Sequence, residues 1–237
     1  MLNVRFLGFD VFGTVVDWRT SIARELNAFL RRYDSDLDPE TLADAWRGLY
    51  QPSMERVRSG QRPWVRLSVL HEETLDTVLK QHGFDIGRLS REELQNLSRG
   101  WERLDPWPDS VEGLQRLKKR FVIGPISNGN VSLMVWMAKF GQLPWDVIAG
   151  AEPTQAYKPQ PQAYLGSAAL LDLPSGEVAL VAAHNDDLAA ARSCGLKTVF
   201  IPRPREHGPN QQIDLVPEQD WDVVADNLIA LADRLGC

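Results

Sequence analysis

Four polar clusters stand directly after apolar runs in this sequence: Asp10 to Thr14 in FDVFGT, Ser127-Asn128 after Ile126, Lys158 in YKPQPQAY, and His184 to Asp187 after ALVAA. In open α/β sheets ligands bind beyond the carboxyl ends of the strands, so side chains at such positions reach a common site. Together they supply a carboxylate with a hydroxyl four residues on, a Ser-Asn pair, a lysine and an acidic cluster. An ionised carboxylate is a nucleophile that splits one hard substitution into two easier steps. A lysine brought beside Asp10 favours its charged form, and Thr14 would donate a hydrogen bond that aims it. Ser127 and Asn128 would offer hydrogen-bond donors to a bound ligand.

The elements that must position these groups follow from the hydrophobic pattern. Val4 to Phe9, Phe121 to Ile126, Val147 to Ala149, Val178 to Ala183 and Thr198 to Ile201 are short apolar runs. Such runs suit parallel strands covered on both faces. Helical stretches alternate with them: Val111 to Lys119 after the cap-like Asp109-Ser110, Val131 to Phe140, Pro161 to Leu171 and Leu188 to Cys194. The alternation predicts a doubly wound, Rossmann-like parallel α/β sheet with right-handed crossovers. From about Trp18 to Arg103 the β-branched runs stop. Leu, Arg and Glu recur there at spacings of three and four, with stripes at Leu26, Phe29 and Leu30, at Leu42, Ala45, Trp46 and Leu49, and at Leu67, Leu70, Leu75 and Leu79, continued by Leu94 and Leu97. Helices are predicted, broken at Asp38-Pro39, Gly60 to Pro63 and Gly83 to Gly87. The expected organisation is a core of residues 1–16 and 104–237, with a helical cap over 17–103. The Gly208 to Gln212 region, with Pro202 and Pro204 upstream, reads as a surface loop before a final helix from about Trp221 to Leu235.

Composition narrows the function classes. The chain has 237 residues, 43% hydrophobic and 24% charged, in the ordinary range for a globular fold. A net charge of −6 gives no field to hold nucleic acid or an anionic membrane, so neither is an expected partner. Cys194 and Cys237 make no disulfide framework, which points to a reducing compartment, the cytoplasm. The N-terminal apolar run is too short for a secretory signal and reads as a buried strand.

FDVFGT, ISNG, YKPQPQAY and AAHNDDLAAAR, in that order, resemble the four motifs of the haloacid dehalogenase-like hydrolase superfamily, and the resemblance spans almost the whole chain. Within it the sequence is similar to the 2-haloacid dehalogenase branch, with its FDxYGT or FDxFGT motif followed by a helical cap. Phosphatases of the superfamily carry a second Asp two residues after the nucleophile, where this chain has Phe12, and a GD pair where counting back from Asp187 meets Ala183. Both differences speak against Mg²⁺-dependent phosphoryl transfer. The resemblance implies a metal-independent, cofactor-free hydrolysis of small 2-haloalkanoic acids. Asp10 would be the nucleophile, giving an aspartyl ester and then a 2-hydroxy acid and halide. It further implies that Arg47, in TLADAWRGLY, receives the halide, that Tyr164 orients its neighbours, and that Asp187 activates the hydrolytic water. It is compatible with a homodimer.

One stretch departs from the branch. Where the pattern reads SSNxxD, this chain has AAHNDD, with Ala182 for serine and His184 for asparagine. His184 would contact the substrate or the halide, with a charge that depends on pH. Three other readings stay open: a carbon-centred hydrolase that opens a strained ring, a weak phosphatase, and a binding protein that keeps the fold without turnover. Blander roles compete for single residues. Ser127-Asn128-Gly129 is also a turn sequence, and Asp186 and Asp187 also suit a helix N-terminus. Trp46 reads as cap core, and Tyr50, Leu49 and Trp64 could line the pocket but are core more often than not. Arg56, Arg58, Arg62 and Arg66 read as a solvated face, and His71, His82 and His207 lack ligand spacing, so no metal site is expected.

Overall fold

The computed structural model describes residues 2–237. In chain order the elements are β1 (Phe6–Phe9), β2 (Val16–Asp17), α1 (Trp18–Arg31), α2 (Pro39–Gly48), α3 (Tyr50–Arg58), α4 (Leu67–Gln81), α5 (Arg91–Ser98) and β3 (Asp105–Pro106). They continue with α6 (Ser110–Leu117), β4 (Val122–Ser127), α7 (Val131–Gly141), β5 (Ala149–Gly150), α8 (Ala151–Thr154) and α9 (Pro161–Ala169). The chain ends with β6 (Val178–Ala182), α10 (Asn185–Ser193), β7 (Lys197–Phe200), β8 (Val223–Val224) and α11 (Leu228–Leu235).

Six strands form one parallel sheet in the order β5-β4-β1-β6-β7-β8, a Rossmann-like α/β arrangement flanked by helices. Strand β1 pairs with β4 on one side and β6 on the other, and all four of its residues are buried. A strand buried on both faces needs the near-continuous apolar sequence that FLGF supplies. The chain winds outward in opposite directions from β1, so the residues after it stand at a topological switch point, where ligands bind in such sheets.

The helices α1 to α5 all fall between β2 and β3, which pair antiparallel through Val16–Pro106 and Asp17–Asp105. The starts of α1, α2 and α5 are capped by short polar side chains. Asp17 accepts from the Thr20 amide at 3.0 Å, and Ser90 and Glu93 form a reciprocal capping box. Trp18, Leu26, Phe29, Leu42, Trp46, Leu70 and Leu79 are buried as their spacing requires.

Four expectations need correction. Asp38-Pro39 opens α2 rather than merely ending what precedes it: Asp38 accepts from the Thr41 amide at 2.8 Å and Pro39 takes the first turn. The first strand begins at Phe6, not Val4. The last helix begins at Leu228, because Val223–Val224 pairs with β7 and Asn227 caps α11 by accepting from the Ala230 amide. The Gly208 to Gln212 region is not simply a surface loop, since Gly208 and Gln211 are buried, as are Arg203 and Glu206 just before it. No helix among the described residues is long and apolar enough to cross a membrane.

Candidate active site

Asp10 leaves the end of β1 with its amide tied to Val181 of β6 at 3.0 Å, which fixes the backbone from which its carboxylate projects. Lys158 Nζ donates to Oδ1 at 2.9 Å, and Thr14 Oγ1 donates to Oδ2 at 2.8 Å. Thr14 is itself held, because its oxygen accepts the Ala183 amide at 2.9 Å. His184 Nδ1 lies 3.1 Å from Oδ2. Across the lysine, Nζ also meets Asp187 Oδ2, and Tyr164 donates its hydroxyl to Asp187 Oδ1 at 2.6 Å. Asn128 Oδ1 accepts the Lys158 amide at 2.7 Å, joining the polar turn after β4 to the lysine segment and leaving the Asn128 NH₂ as the donor.

The ionic core is almost dry: Asp10 is 7% exposed, Lys158 6% and Asp187 9%. Burial pushes the Asp10 carboxyl up, but Lys158 and His184 outweigh it and hold Asp10 well below the usual carboxylate range. For Lys158, burial lowers and the two aspartates raise, with a net rise. Asp187 moves upward, first from burial and then from the charge of Asp10, despite Lys158. Of the two aspartates, Asp10 is the better stabilised anion.

These side chains open onto a cleft of about 950 Å³, whose wall also carries Arg47, Tyr50, Arg58 and Trp18 from the helices between β2 and β3. The Arg47 guanidinium carbon sits 4.0 Å from the Tyr50 ring centre and 5.4 Å from that of Trp18, and its buried Nη1 has no hydrogen-bond partner among the described residues. It reaches none of Asp10's hydrogen-bond donors but faces the same cavity. Phe12 points away from the ionic cluster into an aromatic packing with Tyr50, His71 and Trp101.

Asp10, Thr14, Lys158, Tyr164, His184 and Asp187 thus form one connected network, with Asn128 and Arg47 on its cavity side. Ser127 is set apart: its hydroxyl is fully buried, accepts the Gly129 amide at 3.1 Å and does not line the cleft. Among the residues singled out for a solvated face, Arg58 instead lines the cleft and donates to the Lys158 carbonyl at 2.9 Å.

The main residue that sequence reading missed is Glu206. Only 1% exposed, it lies 2.9 Å from His184 Nε2 and accepts from Trp18 Nε1 at 3.0 Å. Its neighbour Arg203 donates to the Thr14 carbonyl at 2.8 Å and pairs with both oxygens of Asp109. Nothing in PRPREHG marks these residues, since their burial comes from contacts with residues far away in sequence.

Fold and site together define a Rossmann-like α/β protein whose cleft is organised around an ionised aspartate at the end of the central strand. The model of one family, haloacid dehalogenase-like hydrolase, matches residues 4–195, and the chain belongs to that family. The solved structure of a defluorinating L-2-haloacid dehalogenase is similar at 50% identity and a TM-score of 0.97, covering 99% of this chain and 96% of that one. The structure of another L-2-haloacid dehalogenase is similar at 46% identity and a TM-score of 0.94, covering 98% and 99%. An (S)-2-haloacid dehalogenase of Pseudomonas fluorescens is 24% identical over 222 residues, 92% of each chain.

Proposed function

We propose that this chain is a hydrolase that releases halide from small 2-haloalkanoic acids by way of an ester on Asp10. The observation that carries the reading is the buried Asp10 carboxylate, kept ionised by Lys158 at 2.9 Å and aimed by Thr14 at 2.8 Å. The family and its dehalogenase relatives support the substrate class.

In the first step a carboxylate oxygen of Asp10 bonds to the halogen-bearing carbon, and the carbon–halogen electron pair leaves with the halide. Oδ1 is the attacking oxygen, because Oδ2 is engaged by both Thr14 and His184. Arg47 receives the halide, and Asn128 orients the substrate carboxylate through its free NH₂. In the second step water attacks the ester carbonyl carbon, the bond to the substrate oxygen breaks, and that oxygen takes a proton to give the 2-hydroxy acid. Asp187 and Tyr164 hold Lys158 in place through both steps. The segment over 17–103 serves as a cap, whose closure excludes water during displacement and brings Arg47 to the substrate.

Displacement at carbon requires no metal, and the apolar Phe12 stands where a phosphatase needs its second aspartate. The test is halide release from 2-chloro, 2-bromo and fluoro carboxylic acids in chelator, beside a phosphate ester with Mg²⁺. Halide released in chelator, with the ester untouched, supports the reading. Silence on all haloacids would overturn it.

A further inference from the structure

His184 is held by a carboxylate at each ring nitrogen, and one of those carboxylates is the group that the proposed reaction esterifies. Nδ1 lies 3.1 Å from Asp10 Oδ2, and Nε2 lies 2.9 Å from Glu206 Oε2. A neutral imidazole has one N–H to give, so only the imidazolium satisfies both acceptors. Burial opposes that charge, but Glu206 and Asp10 outweigh it and raise His184 well above the usual histidine range.

Glu206 is the fixed half of this arrangement. It is buried on the loop after β7, accepts from Trp18 Nε1, and has His207 Nε2 at 3.6 Å. Burial raises its carboxyl, yet the charge of His184 brings the net shift below the ordinary value, with help from His207 and Arg47. The other charged groups around the imidazole are Lys158 and Asp187 across Asp10, and Asp186 in the cleft wall. Asp187 is engaged at both oxygens, by Lys158 and Tyr164. Nδ1 of His184 faces the Asp10 carboxylate directly.

We propose that His184, positioned by Glu206, is the charge switch between the two half-reactions: an imidazolium while Asp10 is a carboxylate, and a neutral base once Asp10 is an ester. This rests on the ester reading above. When the Asp10–carbon bond forms and halide leaves, Asp10 loses its negative charge, and His184 loses the partner that stabilised its Nδ1 proton. That proton passes to solvent, one for each halide. In the second half-reaction the water oxygen bonds to the Asp10 carbonyl carbon, and one water proton goes to His184. The departing substrate oxygen takes the other, which restores the carboxylate and the imidazolium. The sum is haloacid plus water giving hydroxy acid, halide and one proton. Glu206 is a positioning residue: it keeps the ring oriented and does not touch the reacting atoms.

The test is rapid mixing of the full-length enzyme with 2-chloropropionate at pH 8 in weak buffer, following proton, halide and hydroxy acid separately. Nitrogen NMR of labelled histidine supplies the resting charge. The expected result is an imidazolium signal for His184 at pH 8 and a proton released with the halide, ahead of the hydroxy acid. In Glu206→Gln the imidazolium signal is lost and the proton appears only with the hydroxy acid. In that variant and in His184→Asn, ester hydrolysis slows by about 10²-fold or more, the usual contribution of a general base. The ester then accumulates as added mass on the peptide carrying Asp10. A neutral His184 at pH 8 in the unmodified enzyme would overturn the proposal. So would a halide burst without a proton, which would leave the imidazolium as a lasting donor to the ester carbonyl. Absence of any halide or ester would instead overturn the ester reading itself, and the switch with it.

Discussion

The carboxylate of Glu206 fills the space that a Cβ on Gly13 would occupy. Gly13 has φ +88°, a conformation L side chains rarely adopt, and its amide donates to the Val16 carbonyl at 3.0 Å in the tight turn after Asp10. The glycine of FDVFGT therefore does two things: it turns the chain and admits the carboxylate that holds His184. Gly13→Ala is expected to destabilise the fold by about 1–3 kcal/mol through strain alone and to displace Glu206 as well. In a Glu206→Ala background the same change should cost less, with a coupling of about 0.5–3 kcal/mol. Urea unfolding of the four proteins measures that difference, and additive costs would show that the contact carries no energy.

Among the described residues Lys158 is the only cation bonded to both Asp10 and Asp187, at the centre of a buried trio. Lys158→Met keeps the bulk but leaves two carboxylates facing each other without it, and truncating one partner of a buried pair costs about 3–5 kcal/mol. Carboxylates that share a site titrate apart, so one of the two should take up a proton near neutrality. Single-turnover halide release should fall by at least about 10²-fold, while folding survives by circular dichroism. An unchanged burst would remove the lysine from the displacement step.

The strands β1, β4, β6 and β7, their alternation with helices, and the four polar clusters were legible in the sequence because they rest on local rules. An apolar run of four to six residues ending in a polar residue reads as a buried strand with a side chain at its mouth, and Asp10, Ser127 and His184 follow from that alone. Glu206 was not legible. Its carboxylate meets His184 only because the chain leaving β7, on the far side of β6 from β1, places PRPREHG against Gly13, Thr14 and Trp18. Arg58 was hidden for a similar reason: Arg56 on its helix and Arg62 and Arg66 beyond it give the stretch a solvated look, and only the contact with the Lys158 carbonyl sets it apart. The last helix was read too long because Trp221 to Ala225 is apolar enough to continue it, whereas Val223–Val224 pairs as an edge strand.

Arg47 offers the cleft a buried Nη1 with no hydrogen-bond partner among the described residues, backed by the faces of Tyr50 and Trp18. An orphaned cationic donor of this kind suits a small anion, and Arg47→Lys would keep the charge while losing the planar fork. The expected outcome is a fall of about 10-fold or more in kcat with weakened inhibition by product halide. Inhibition by added chloride or bromide measures it. A variant still inhibited as strongly as the parent would place the halide elsewhere.

The charge state of His184 also sets how stability responds to pH. Its folded value is raised well above 6.5, so the imidazolium contributes stability that is fully present below the unfolded value, near 6.5, and lost as pH rises through the folded one. Asp10 behaves in the opposite sense: its lowered carboxyl contributes stability present above the ordinary value of 3.8 and lost as pH falls through its folded value. The stability gap between the parent protein and His184→Asn should therefore be constant from about pH 5 to 6.5 and should narrow as pH rises beyond that range. Urea midpoints across pH 5 to 10 follow it. A gap that stays flat through pH 10 would mean that the ring carries no charge linked to folding. A gap that widens with pH would reverse the sign, and would make His184 a neutral acceptor between two carboxylates, one of them protonated.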